Sequence, residues 1–284
     1  MRTRIVSGVV LLGLAGVIVA VRGPLLVLGL LAAIAICANE FYGMAAAAHR
    51  PWRLGGIALA LLFALPASLV ALGVRTGLLI ETSALVAAGA GLLATLAWVG
   101  IRRTAAVRGD AGDVAAGRDD PLAAWTDVGL TLGGALYTGG ILQYGLRLNH
   151  PPGEGWWLLL VVLATAAADT GAYFTGRAFG KRKLIPHISP NKTWEGFWGG
   201  LALCVVTVAL FSVPMGIPAW HVPLLGAAIA LGSVIGDLCE SMLKRSFGAK
   251  DSGRLIPGHG GLLDRLDSIM FVLLVVYGYM SLAA

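Results

Sequence analysis

Long apolar runs joined by short polar connections constrain this chain more than any other feature. The first, Ile5 to Val21, is 17 residues long and follows Met1-Arg2-Thr3-Arg4. It is longer than the apolar core of a secretory signal and no small-x-small cleavage site follows it, so it reads as an uncleaved first span. Arg22-Gly23-Pro24 turns into a second span ending near Gly43. Further spans run from about Leu54 to Gly73, Leu78 to Ile101, Val128 to Leu146, Trp156 to Tyr173, Trp194 to Val213, Val222 to Cys239 and Leu262 to Leu282. Each approaches the roughly 20 residues a helix needs to cross a bilayer. The expected fold is an all-α polytopic integral membrane protein of about nine transmembrane helices. With 57% hydrophobic and 13% charged residues and a mean hydropathy of +0.82, an ordinary water-soluble domain is excluded, and no nucleic-acid partner is expected. Forty glycines without a short period suit close helix packing in lipid. Cys37, Cys204 and Cys239 lie in apolar runs without metal-ligand spacing and read as buried free thiols.

Charge orients the chain, because short cytoplasmic connections collect Lys and Arg. With a cytoplasmic N-terminus, nine alternating spans leave only Arg22, Arg75 and Arg147 outside, and the other 18 of the 21 Lys and Arg inside. Adding or removing a middle span would export either the 176–192 or the 244–254 connection. The C-terminus is therefore expected outside. Arg102 to Trp125, charged and rich in Ala and Gly, reads as a soluble, partly disordered loop. Trp156-Trp157 marks a membrane interface.

Against this apolar background, Ser241 to Asp267 is dense in charge and glycine. Asp237 and Glu240 precede it at the end of one apolar run, and Asp264 and Asp267 lead into another. A loop needing only solubility has no reason to place carboxylates in apolar sequence, where burying charge is costly. Carboxylate oxygens suit a hard cation, while Lys, Arg and exposed N–H groups of a Gly258 to Gly261 turn suit phosphate. Asp169 lies 13 residues past Trp156 and Asp237 15 past Val222. At helical rise both are roughly 20–22 Å from the outer face, and Asp264 enters the last span from the inner one. These three carboxylates are expected to meet in the cytoplasmic third of the bilayer. Asp237, Glu240, Ser241 and Lys244 share one helix face, as do Asp264, Asp267 and Ser268. Between Asp169 and Gly196, a basic cluster at Lys181, Arg182 and Lys183 is followed by Ser189-Pro190-Asn191-Lys192-Thr193. Ser189 and Pro190 fit an N-cap and first helical position for the seventh span, which would put a positive helix end beside Lys192. The Lys181 to Lys183 cluster is also what a positive-inside anchor alone would require.

Ser241 to Asp267 matches, at Ser241, Lys244-Arg245, Lys250-Asp251, Pro257, His259-Gly260-Gly261, Asp264-Arg265 and Asp267, the signature of the bacterial phosphatidate cytidylyltransferases, also called CDP-diacylglycerol synthases. Asp169 to Gly196 resembles the same family. Gly253-Arg254 departs from the small or neutral polar pair that many members carry. The resemblance implies magnesium-dependent transfer of CMP from CTP to phosphatidate, forming CDP-diacylglycerol and pyrophosphate for phospholipid synthesis. It also implies a multi-helix homodimer in the inner (plasma) membrane with a cytoplasmic active site, and a second cation, for which K+ is the candidate. Asp237, Asp264, Lys244 and His259 are the implied catalytic residues. Asp237 and Asp264 are the implied metal ligands, with Asp267 and Glu240 as further candidates. Ser241, Arg245, Lys250, Lys181, Arg182, Lys183, Ser189, Lys192 and Asp169 are the candidate substrate-binding set. His259 either polarises a phosphate or shapes its glycine turn. On this reading residues 1–125 form N-terminal membrane helices and a cytoplasmic loop, and 126–284 the catalytic membrane helices. Two alternatives stay open from the residues themselves. One is a CTP-dependent lipid kinase or a synthase acting on another lipid alcohol. The other is an ion-coupled transporter, which also uses intramembrane acids and broken helices, although no inverted repeat is visible.

Overall fold

The computed structural model describes residues 23–47, 49–73, 121–148, 155–256, 258 and 260–283, with isolated positions between 89 and 97. The expected first span, most of the fourth, most of the 102–125 loop, Pro257 and His259 lie outside the described residues. In chain order the elements are α1 (Pro24–Ala45), α2 (Arg53–Ala71), α3 (Pro121–Ala135), a π-helical turn (Leu136–Gly140), α4 (Tyr144–Leu148), α5 (Trp156–Phe179), β1 (Lys183–Ile185), β2 (Ser189–Thr193), α6 (Trp194–Met215), α7 (His221–Ser246) and α8 (Leu263–Ala283). Six of these helices, α1, α2, α5, α6, α7 and α8, are long and apolar enough to cross a membrane. The protein is a multi-pass helical membrane protein.

Helix ends differ from the apolar runs where polar residues still favour helix. α7 continues to Ser246, and Lys244 and Arg245 in its last turn complement the negative end of the helix dipole. α5 likewise runs to Phe179 with Arg177 in its last turn. α3 begins at Pro121, inside the stretch expected to be loop; proline is well suited to a first helical position. The expected fifth span is interrupted by the π turn, where the chain approaches α2 so closely that a Cβ on Gly139 would strike the Ala60 carbonyl. Between α5 and α6, the expected basic connection is an antiparallel two-stranded hairpin, pairing Lys183 with Thr193 and Ile185 with Ser189. It is the only sheet among the described residues. Cys37 and Cys204 are buried as expected, whereas Cys239 is only half-buried.

One buried core joins α1, α2, the α3–α4 segment, α5, α7 and α8, with Ile34, Tyr42, Ala60, Leu146, Leu160, Ile229 and Met270 fully enclosed. The outer face of α6 presents Val206, Leu210 and Val213 to the surroundings, as a lipid-facing helix should. At one end of the bundle, aromatic side chains pair across helices, Trp156 with Phe211 and Trp157 with Tyr279, and His221 Nδ1 lies 2.6 Å from the Tyr279 hydroxyl. At the other end lie the hairpin, the C-terminus of α7 and the loop into α8.

Small residues set how closely the helices at that end approach. Along the α5–α6 contact a Cβ on Gly171 would lie 2.6 Å from the Gly199 carbonyl oxygen, and one on Gly200 would lie 2.6 Å from that of Ala168. On α7, a Cβ at Gly236 would meet the backbone of Asp267 and Ser268, so glycine there lets the first turns of α8 press against α7. Enlarging such a position forces backbones apart, at a cost of typically 1–3 kcal/mol. Gly200→Leu is expected to lower stability by at least about 2 kcal/mol, whereas Gly278→Leu, which meets nothing within 4 Å, should stay within about 0.5 kcal/mol. Denaturation of the two variants in the same detergent checks the contrast.

Candidate active site

A cavity of about 330 Å³ opens between α5, α6, α7 and the hairpin. Its polar lining comes from Asp169, Ser189, Asn191, Lys192, Ser233 and Asp237, and its apolar lining from Leu184, Phe197, Leu201, Ala230 and Val234. Lys192 Nζ stands 2.8 Å from Asp237 Oδ2. Ser241, one turn along α7, donates to Asp237 Oδ1 at 3.2 Å, and Ser233, one turn back, donates to Asp169 Oδ1 at 3.2 Å. The periodicity of α7 thus aligns Ser233, Asp237 and Ser241 on one face.

The hairpin is positioned by a carboxylate and a hydroxyl at the start of α6. Glu195 accepts the backbone N–H groups of Lys181 and Arg182, and Thr193 accepts the Gly196 N–H at 3.1 Å. Thr193 is therefore the N-cap of α6. The expected capping role of Ser189 and Pro190 does not hold: both lie in extended β2, whose pairing with β1 delays the helix by four residues. Ser189 lines the cavity instead. Of the basic residues around the hairpin, Lys192 reaches the cavity, while Lys181, Arg182 and Lys183 are exposed outside it.

A second network lies where α7 meets α8. Lys244 Nζ is 2.9 Å from Glu240 Oε2 and 2.6 Å from Asp264 Oδ1, so one ammonium serves two buried carboxylates. Asp264 Oδ2 accepts from Ser252 N at 2.9 Å, Ser252 Oγ at 2.9 Å and Gly261 N at 2.8 Å. The Gly261 N–H, expected to be open to phosphate, is thus taken by Asp264. Gly258 and Gly260 adopt positive φ of 77° and 82°, and Ile256 N donates to Gly260 O at 2.9 Å, closing the loop. Glu40, a lone acid in the apolar sequence of α1, is the site residue that sequence reasoning missed. Its carboxylate accepts from Leu262 N, Leu263 N and Ser252 Oγ at 3.0, 2.9 and 3.1 Å. An acid within a predicted span, where charge is expensive, was the available signal.

The structure brings Asp169 and Asp237 together at the cavity and holds Asp264 in the adjoining network. Asp267 lies between, interacting electrostatically with Asp169, Asp237 and Glu240. Glu240 is fully buried and its Oε1 accepts no hydrogen bond; the buried hydroxyl of Tyr137, carried in by the π turn, also lacks a partner and interacts electrostatically with Glu240 and Asp267. Arg245 and Lys250 are exposed at the same end. Among the described residues no three His, Cys, Asp or Glu converge as a ready-made metal cage.

The sequence profile of the cytidylyltransferase family matches residues 2–283, nearly the full chain. The chain belongs to the cytidylyltransferase family. Proteins named phosphatidate cytidylyltransferase are similar to it. That of Mycobacterium tuberculosis is 41% identical over 147 residues, covering 51% of this chain and 44% of the relative. That of Bacillus subtilis is 39% identical over 159 residues, 55% and 59% of the two chains. That of Haemophilus influenzae is 48% identical over 143 residues, 47% and 49%. The chain thus spans about half the length of the curated relatives it matches. The cytidylyltransferase profile also covers α1 and Glu40.

The two lysine pairs differ in environment and should differ in energetic weight. Lys244 is 15% exposed against partners at 1% and 5%, so Lys244→Met strands two buried carboxylates and should cost about 3–5 kcal/mol. Adding Glu240→Gln should recover part of that loss. Lys192 and Asp237 are 22% and 38% exposed in the open cavity, and Lys192→Met should cost no more than about 1 kcal/mol. Thermal denaturation of the three variants in detergent tests the ordering.

Proposed function

We propose that the protein transfers CMP from CTP to phosphatidate, forming CDP-diacylglycerol and releasing pyrophosphate. The observation that carries this reading is the cavity at one end of a membrane bundle, polar at Asp169, Lys192 and Asp237 and apolar along Phe197, Leu201 and Val234, in a member of the cytidylyltransferase family. A water-soluble triphosphate and a lipid phosphate need such a boundary to meet. The names and the shared segment of the relatives support the same chemistry.

Both substrates are polyanions, so their mutual repulsion is what the protein must overcome. Lys192 and Lys244 are held by carboxylates at the cavity and beside it, charged and oriented before any substrate arrives. Exposed Arg245, Lys250 and the Lys181 to Lys183 cluster add positive charge around them. A phosphatidate oxygen attacks the α-phosphorus of CTP in line, the new P–O bond forms, and the bond to the β-phosphate oxygen breaks as pyrophosphate leaves. No proton need be abstracted from an anionic phosphate oxygen, and no protein nucleophile is required.

The donor set fits magnesium. Glu240 Oε1 is a buried carboxylate oxygen without a hydrogen-bond donor. Magnesium typically takes one or two protein carboxylates together with phosphate and water oxygens, so a closed cage is not needed. Asp237 and Asp264 would hold it, with Glu240 and Asp267 adjoining. When bound, the ion supplies charge neutralisation of the triphosphate.

Purified protein given labelled CTP and phosphatidate should form labelled CDP-diacylglycerol, and Asp237→Asn should lower turnover by at least about 100-fold while leaving the protein folded. Failure of the wild type to make this product would end the proposal. Without phosphatidate, labelled pyrophosphate should not exchange into CTP; robust exchange would point to a covalent nucleotidyl-enzyme. We place the hairpin and the loop into α8 in the cytosol, where CTP is available. Cysteines at Lys183 and Lys250, in a background without native thiols, should then react only with reagent added from the cytosolic side of the membrane.

A further inference from the structure

We propose that Glu40 is a positioning residue for the transfer reaction: from α1 it fixes the start of α8 and, through Ser252, the carboxylate of Asp264. The inference rests on the proposed function for its kinetic arm, but its geometry stands apart from it. Glu40 is 7% exposed, and its carboxylate accepts from Ser252, Leu262 and Leu263, in the loop and first residue of α8, more than 200 residues away in sequence. The first amides of a helix have no partners within it. Here Leu262 N is met by Glu40 Oε1, Leu263 N by Glu40 Oε2 and Asp264 N by Ser252 Oγ at 3.3 Å.

The Ser252 hydroxyl couples the two acids. It has one proton and two carboxylate acceptors in reach, Glu40 Oε2 at 3.1 Å and Asp264 Oδ2 at 2.9 Å. A continuous path therefore runs from Glu40 through Ser252 and Asp264 to Lys244 and Glu240. The space is fitted to this arrangement. A Cβ at Gly261 would collide with Ser252 Oγ and Glu40 Oε2, and one at Gly253 would lie 2.7 Å from Glu40 Oε1. Gly253 and Gly261 are thus the positions that make room for the Glu40 carboxylate.

Both oxygens of Glu40 act as acceptors, so glutamine cannot replace it: whichever way the amide turns, an NH2 group faces a backbone N–H. The shape of the side chain is nevertheless kept, which makes Glu40→Gln the informative variant. A residue that only stabilises the fold would lower the melting temperature and leave the turnover of the folded fraction unchanged. A positioning residue lowers kcat with less effect on the KM for CTP.

The test uses the full chain in detergent with Glu40→Gln, Ser252→Ala and the double variant. Glu40→Gln is expected to reduce kcat by about 30-fold or more with the CTP KM changed by less than about threefold. The double variant should be at most about threefold worse than the poorer single one, because both substitutions break the same bridge. Hydrogen exchange at the Leu262 and Leu263 amides should quicken by about tenfold or more in Glu40→Gln. That arm reads the capping whether or not the protein uses CTP, so absence of wild-type transfer would count against the proposed function and leave exchange to decide this inference. A Glu40→Gln kcat within about twofold of wild type, unchanged exchange at the two amides, or an activity loss that follows the unfolded fraction and disappears on cooling would each overturn it. If Glu40→Gln does not fold, Ser252→Ala decides: a kcat within about twofold of wild type overturns the proposal.

Discussion

A carboxylate enclosed by apolar helices keeps its charge only where donors surround it, because an unpaired ion in such surroundings costs several kcal/mol. That demand shapes one end of this protein. Glu40 is satisfied by backbone from the loop into α8, Asp264 by Lys244 and by the same loop, and Asp237 by Lys192 and Ser241. Each pairing crosses from one element to another or locks successive turns of one helix. Meeting the electrostatic demand of the acids is therefore the same act as assembling the bundle end. Glu240 is met on only one of its two oxygens.

The glycines of the loop into α8 belong to this solution. Gly260 has the positive φ that L side chains resist, and a Cβ there would also approach Asp264 Oδ2 to 2.6 Å. Gly261 is required because two polar groups, from Ser252 and Glu40, converge on its Cα. At Gly260 and Gly261 this is close approach by carboxylates, and the Gly261 amide meets negative charge brought from within the protein.

Much of the architecture was legible because hydrophobic run length reports directly on helices in lipid. The α6 and α8 boundaries lie within about two residues of the runs that announce them. The shared face of Asp237, Ser241 and Lys244 was equally readable, since helical periodicity alone generates it. What hydropathy could not show was the hairpin at 183–193, whose pairing depends on a turn and on Glu195 holding the preceding amides. Ser189-Pro190 carries a strong local helix-start pattern, and tertiary pairing overrides it. The π turn was hidden for a related reason: its apolar composition fits a continuous span, and only contact with α2 at Ala60 reveals the irregularity. Glu40 stood in plain sight as an acid in an apolar run, but its partners are more than 200 residues away, and no local pattern joins them.

The glycine contact between α5 and α6 also limits how the cavity can be entered. Gly171 faces the carbonyl of Gly199, and Gly200 faces that of Ala168, with no side chain between them to act as a cushion. Helices meshed through their main chains cannot slide or roll without collision, so the two walls they form behave as a single rigid panel. The rest of the lining comes from α7 and from the hairpin, which Glu195 and Thr193 tie to the start of α6.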